Sequence, residues 1–333
     1  MGEVKMSGDK ITVGTIGLGP VGAVVGACLA KAGAEIVATD LPHRISQLEK
    51  SGIQVYWDNE LLQYAVRTAD SIRAMADARP YCMIIATKAS ILKQIMPEVA
   101  EAAGDHCLVI STQNGIGTED EIARYVPPEN VCRMVVNFAG GIDAQGVVRV
   151  GWFNPPNCFG LIEEREEPRL TTIIDMLNSA GLTSELVSPF TIKKKAFLKT
   201  VLNASLLPLC AVMELTMKQA MQGKATRPLV EKLVREGLSV AERLEYDYGE
   251  DIFEQCMGYL DKGGDHHPSM TVDLQCKLPT EIDFINGKIL EIGHSFGDLD
   301  LETHRFFVSL LMTAEVKNGT REPDDFPEYL LNP

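Results

Sequence analysis

The sequence predicts an α/β protein in two parts, a doubly wound parallel sheet followed by an all-helical domain. Three observations predict it. Short β-rich runs alternate with helical patterns through the first half of the 333 residues. A glycine-rich turn follows the first of those runs. Strand signals largely vanish from Phe190 onward, leaving only helical periodicity.

Ile11–Ile16, Glu35–Thr39, Cys82–Thr87, Leu108–Ser111 and Val131–Asn137 read as strands, with helical stretches such as Gly22–Lys31 and Leu92–Ala103 between them. Strands separated by helices pair in parallel, because the crossover returns each strand to the same end. Val147–Trp152 and Cys158–Ile162 flank Asn154-Pro155-Pro156-Asn157, and this turn-rich link predicts an antiparallel hairpin at the end of the sheet. After the charged segment Glu163–Arg169, a helix near Leu170–Ala180 leads through Gly181 to a last short strand, Ser184–Val187. The boundary is placed at Ser188-Pro189, giving domains 1–188 and 189–333. Beyond it, Ala196–Leu215, Leu229–Leu244, Ile252–Leu260 and Thr280–Ile292 carry helical periodicity, and the acidic, proline-containing end, Arg321–Pro333, is expected at the surface.

Composition narrows the function classes. An apolar share of 45% with 23% charged residues is that of a globular chain. The longest apolar stretches, such as Ala204–Met213, fall short of the roughly 20 residues that span a bilayer. The polar start, Met1–Lys10, lacks a signal-peptide pattern, so a cytoplasmic location is expected. Eight scattered cysteines without metal-ligand or redox spacing read as small core residues in a reducing compartment. A net charge of −15 repels phosphate backbones and anionic lipid, which argues against nucleic-acid and membrane partners.

Gly17-Leu18-Gly19-Pro20-Val21-Gly22 fits G-x-G-x-x-G between a strand and a helix, the context in which the pattern binds a dinucleotide. The first glycine allows a tight turn and the second lets backbone approach a pyrophosphate. The third lets the helix pack on the sheet, with its amides toward the phosphates. The first half is therefore a Rossmann domain. Asp40 ends the next strand, 18 positions after Gly22, where a carboxylate accepts from a ribose and repels a 2′-phosphate. That favours NAD. His43 and Arg44 just beyond keep NADP open, since a basic residue there can hold the phosphate.

In the second half, Lys199 lies among apolar residues and shares a helix face with Asn203, four positions on. The pair suits a carbonyl oxygen or carboxylate; it also fits a lysine reaching back to water beside Lys193-Lys194-Lys195. Glu281 follows Pro279-Thr280, where an acidic residue can simply oppose a helix dipole. Ser269 can be a cap, and Asn114-Gly115 a turn, although that turn lies at the carboxyl edge of a strand, where open sheets bind ligands. His266 and His267, being adjacent, point apart, and no metal is expected; His294 and His304 read as ordinary helix-surface or core residues.

Taken in order, these pieces resemble the ketopantoate reductase family, which includes related NAD-dependent D-2-hydroxyacid dehydrogenases. The resemblance rests on Gly17–Gly22, Thr87-Lys88-Ala89, Gln113-Asn114-Gly115, Lys199-x-x-x-Asn203, Ser269, and Thr280-Glu281-Ile282-Asp283 with Ile285-Asn286-Gly287. It covers nearly the whole chain. The resemblance implies an oxidoreductase that transfers hydride between a nicotinamide cofactor and a small 2-oxo or 2-hydroxy acid. It implies that Lys199 donates a proton to the keto oxygen, and that Glu281 orients Lys199 or bonds a substrate hydroxyl. Ser269, Asn114 and Asn203 would hold the carboxylate and its neighbours, and Lys88 would sit beside the cofactor. Helical second domains of such enzymes often pair, so a homodimer is open.

Three positions depart from the family pattern. Leu207 stands where a second asparagine is usual, Met217 replaces a polar residue, and Asp40 occupies a place that is basic in NADP-using members. The sequence reading is an NAD-linked reductase for a 2-oxo acid more apolar than ketopantoate. True ketopantoate reduction in pantothenate synthesis, catabolic oxidation, and a dinucleotide sensor without chemistry are the alternatives.

Overall fold

In the computed structural model, residues 10–331 are described; the polar start of the chain, apart from Lys10, and the last two residues lie outside them. The chain forms two compact units, residues 1–113 with 118–192, and residues 114–117 with 193–333.

The first unit is built on an eight-stranded sheet. Its members in chain order are β1 (Thr12–Ile16), β2 (Glu35–Thr39), β5 (Arg67–Thr68), β6 (Cys82–Ile85), β7 (Leu108–Ser111), β8 (Val131–Val135), β11 (Asn157–Leu161) and β12 (Ser184–Leu186). The spatial order is β12-β11-β8-β7-β6-β1-β2-β5, and every pair is parallel except β8 with β11. Alternate residues feed two apolar layers, as a pleated strand requires. Ile84 packs with Val24, Val25 and Cys28 of α1 (Pro20–Lys31) and Leu170, Ile173 and Leu177 of α5 (Pro168–Ser179). Met83 and Ile85 face the other way, onto Leu92, Met96 and Val99 of α3 (Leu92–Ala103).

Between β2 and β6 the chain makes α2 (Pro42–Ser51) and a hairpin, β3 (Ile53–Trp57) and β4 (Glu60–Tyr64), that sequence reading missed. Asp58 and Asn59 both have positive φ, +50° and +61°, the left-handed pair that matches the twist of a two-residue hairpin. The hairpin joins β9 (Phe138–Ile142) and β10 (Val148–Phe153) in a second sheet of order β4-β3-β10-β9. The expected hairpin across Asn154-Pro155-Pro156-Asn157 therefore does not form. β10 pairs with β9 and β3, whereas β11 pairs with β8 and β12. The two prolines lack N–H groups, and the crossing is held instead by side-chain amides: Asn137 N donates to Asn157 Oδ1 (2.8 Å), and Asn137 Nδ2 to Pro156 O (2.5 Å).

The second unit is helical. It centres on α6 (Pro189–Met213), whose 25 residues continue from the first unit. Phe197, Val201, Ala204, Leu207 and Ala211 enter one core, while Leu206, Leu209 and Cys210 enter another. A helix apolar on both sides belongs in an interior. By length and composition alone α6 is long enough to cross a bilayer, contrary to the sequence expectation, but 67% of its most apolar window is buried inside the protein. Around it lie α7 (Met217–Gln222), α8 (Arg227–Arg243), α9 (Ile252–Leu260), α10 (Ser269–Gln275), α11 (Lys288–Phe296), α12 (Glu302–Asn318) and α13 (Glu328–Leu331); α4 (Thr118–Ile122) belongs to the first unit. The periodicity at Thr280–Ile292 resolves into a π-helical turn, Asp283–Gly287, followed by α11. The chain end is not all surface. The Arg321 side chain is only 7% exposed, because the buried Glu315 carboxylate needs a cation: Arg321 Nε donates to Glu315 Oε2 at 2.8 Å, and Nη2 bonds Asp283. Seven cysteines are buried, and Cys276 is exposed.

Candidate active site

The glycine turn sits at the carboxyl end of β1, where the strand order reverses between β1 and β6. Gly17 has φ +85°, a conformation that L side chains rarely adopt. A Cβ at Gly22 would fall 2.0 Å from Gly17 O and 3.0 Å from Ala86 Cβ, so only glycine lets α1 start this close to the sheet. A Cβ at Gly19 would meet nothing within 4 Å. Gly19 is also the N-cap of α1, and no side chain caps that end. Uncapped amides beside open space fit a pyrophosphate.

Asp40 follows β2 and is tied into this turn. Its Oδ2 accepts from Leu18 N at 2.7 Å, and its Oδ1 from Leu41 N at 2.7 Å. Arg44 on α2 donates to Leu18 O (3.2 Å) and to Gln47 Oε1 (2.6 Å). Lys88, half-buried, ends the turn after β6; the neighbouring Thr87 Cγ2 lies 3.0 Å from where a Gly17 Cβ would be, and Lys88 O accepts from Gln113 Nε2 at 3.2 Å. The first unit thus brings Gly17–Gly22, Asp40 and Lys88 to one end of the sheet.

Lys199 and Asn203 are both half-buried, one turn apart on α6. A glycine in α8 lets this stretch pack closely: a Cβ at Gly237 would lie 3.0 Å from both Val201 methyls. Glu281 is 6% exposed. It stands just ahead of the π-helical turn, where a helix start was expected, and the preceding Thr280 is tied to α12: its N and Oγ1 donate to Glu315 Oε1 (2.7 and 2.6 Å). Asn114 lies in the segment 114–117, which belongs to the helical unit. Gly115 (φ +93°) would place a Cβ 2.4 Å from Phe284 O, and Ile116 N donates to that same oxygen at 2.8 Å. Ile116 packs against the core that contains Val201, Ala204, Ile282 and Met270. One core therefore anchors the segments carrying Lys199, Asn203, Glu281, Asn114 and Ser269. Ser269 is exposed at the first position of α10, and Pro268, not Ser269, takes the cap place. Leu207 packs in this same core, whereas Met217 packs against a different one.

Two buried polar groupings escaped sequence reading. Arg133, inside β8, pairs with Glu119 Oε2 at 2.9 Å; its Nη2 donates to Gln113 O at 2.7 Å and its Nη1 bonds Thr118. The guanidinium thus ties Gln113 to Thr118 within the first unit. The signal was present, an arginine inside the apolar run Val131-Cys132-Arg133-Met134-Val135. The second grouping is Asn286 with His304.

The profile described as Ketopantoate reductase PanE/ApbA matches residues 13–153, and the profile of its C-terminal domain matches residues 191–315. The chain belongs to the ketopantoate reductase family. Membership makes it a ketopantoate-reductase-like oxidoreductase, working with a nicotinamide cofactor on a 2-oxo or 2-hydroxy acid. Among curated relatives, a 2-dehydropantoate 2-reductase from Streptococcus pyogenes is 27% identical over 289 residues, 84% of this chain and 91% of that one. Two solved structures show the same fold. A D-mandelate dehydrogenase with NADH and anilino(oxo)acetate superposes with a TM-score of 0.82 at 21% identity, covering 93% of this chain and 100% of that one. A dimeric ketopantoate reductase from Staphylococcus aureus gives 0.74 at 21% identity, with the same coverage.

Proposed function

We propose that this member of the family is an NAD-linked reductase that converts a 2-oxo acid, with a side chain more apolar than that of ketopantoate, into a D-2-hydroxy acid. The observation that carries the reading is the shared core: it gathers a lysine, two asparagines and a buried carboxylate within one unit.

A bound nicotinamide supplies the hydride. Negative charge then develops on the keto oxygen, and the Lys199 ammonium, half-buried among apolar neighbours, stabilises it and donates a proton from Nζ. Glu281, buried at the entry to the π-helical turn, orients the ammonium or accepts from a substrate hydroxyl. Asn203, Asn114 and Ser269 donate to the substrate carboxylate, which supplies locally the donors that the acidic surface does not.

NAD is the cofactor of this reading. Asp40 sets a carboxylate where a 2′-phosphate would lie, and Arg44 is engaged by Leu18 O and Gln47 Oε1. The D-mandelate dehydrogenase with NADH supports both an NAD site and an apolar substrate within this fold. Leu207, one turn beyond Asn203, replaces a hydrogen-bonding side chain with an apolar one. A homodimer goes with the reading, supported by the dimeric Staphylococcus aureus neighbour. The second reading, reduction of 2-dehydropantoate itself, is favoured by the name of the Streptococcus pyogenes relative. Following NADH and NADPH consumption side by side over a panel of 2-oxo acids that includes ketopantoate separates the two. Turnover of NADH with an apolar or aromatic oxo acid, ketopantoate being poor, is the expected result; efficient NADPH-linked reduction of ketopantoate overturns it.

A further inference from the structure

In an α-helix the carbonyl of residue 204 takes the N–H of residue 208. Residue 208 of α6 is proline, which has no N–H, so the Ala204 carbonyl loses its helical donor inside a buried core. Asn286, wholly buried in the π-helical turn, answers: its Nδ2 donates to Ala204 O at 2.8 Å. We propose that Asn286 is a positioning residue. It gives Ala204 the donor that Pro208 lacks, and so fixes the turn of α6 that carries Lys199 and Asn203 against the segment that carries Glu281.

The surrounding bonds allow Asn286 one orientation. Ala204 O only accepts, so the amide nitrogen must face it. The second hydrogen on Nδ2 points to His304 Nδ1, 3.0 Å away, and His304 Nε2 lies 3.1 Å from Leu233 O, another acceptor. The imidazole is therefore neutral, with its proton on Nε2. Burial keeps it so, holding its pKa down at about 4. The backbone N–H groups of Thr303 and His304 donate to Glu236 (3.1 and 3.0 Å), which fixes the start of α12 and with it the ring. Asn286 Oδ1 is buried without a partner in this arrangement. A buried acceptor left unmet is unfavourable, and both amide hydrogens are nonetheless directed at Ala204 and His304. Holding the α6 turn is the gain that offsets it.

The inference rests on the roles proposed for Lys199 and Glu281, and the test separates the two. Asn286→Ala should lower kcat about 10- to 100-fold, the loss expected when reacting groups move by about 1 Å, with the KM for NADH nearly unchanged. Pro208→Ala restores the backbone donor. On its own it should leave kcat near the parent value, and in the Asn286→Ala background it should recover most of the lost kcat. Should Asn286→Ala fold poorly, the double variant is compared with Pro208→Ala alone: equal kcat supports the proposal, and a drop of about tenfold or more overturns it. Recovery of the melting temperature without recovery of kcat also overturns it, since Asn286 would then be structural only. So does an Asn286→Ala enzyme with parental kcat. Lys199→Ala with near-parental turnover is a separate result, which removes the proposed role of Lys199 whatever Asn286 does.

Discussion

At the scale of single residues, Lys199 and Gly22 make opposite demands on a substitution. Lys199→Ala removes a proton donor without leaving a strained backbone. It should lower kcat by about 10²- to 10⁴-fold, while NADH affinity, read by fluorescence titration, stays near the parent value. Gly22→Ala should do the reverse. Its Cβ would collide with Gly17 O, so the turn must open, and NADH affinity should fall at least about tenfold. Asp40→Asn tests cofactor choice. The amide oxygen can still accept from Leu18 N, but the charge is gone, and the NADPH-to-NADH ratio of kcat/KM should rise by about tenfold, equivalent to about 1.4 kcal/mol. An unchanged ratio would remove Asp40 from the discrimination. Glycine spacing and the strand-end aspartate were legible in the sequence because both are local. The burial of Glu281 was not, because the core that covers it is assembled from distant segments, while beside Pro279-Thr280 it reads as an ordinary helix start.

At the scale of elements, what the sequence showed depended on how far each element was buried. β6 and β7 are continuous apolar runs buried on both faces, and they read correctly. β3 is buried or half-buried and β4 mostly exposed over five positions each, and the second partner of β3, β10, arrives about 90 positions later (Val55 beside Val148), so their pairing left little local trace. The π-helical turn shares its apolar spacing with an α-helix and cannot be told from one by periodicity. The charge inside β8 has a testable consequence. With both side chains about 95% covered, Glu119→Gln should take a buried counter-charge from Arg133 and lower stability by about 3–5 kcal/mol in urea unfolding. Arg133→Met/Glu119→Leu should be far less damaging, and equal losses in the two variants would argue against a buried pair.

At the scale of the whole molecule, acid sensitivity follows from His304. The folded-state pKa, about 4, lies below the ordinary value of 6.5, so the unfolded chain binds the proton more readily between those limits. Stability should fall as pH drops from about 6.5 to about 4, by about 3 kcal/mol in all, and then level for this group. Unfolding free energies for the parent and for His304→Gln at several pH values isolate the effect: the parent's steeper slope in that window should be absent in the variant. Slopes that coincide would show that other groups carry the acid response.

The chain passes between its two compact units after Gln113, after Gly117 and again after Ile192. Four residues within the span of the nucleotide-binding half therefore belong to the other unit, with Ile116 fastened to Phe284 and packed on that unit's core. Exchange of parts between relatives is constrained by this. A chimera spliced at Pro189 inherits its second half from one parent and residues 114–117 from the other, so the graft transfers an incomplete core. A splice that carries 114–117 along with 193–333 keeps that core's parentage intact, and among recombinants of family members such joints are the ones that should survive selection for activity.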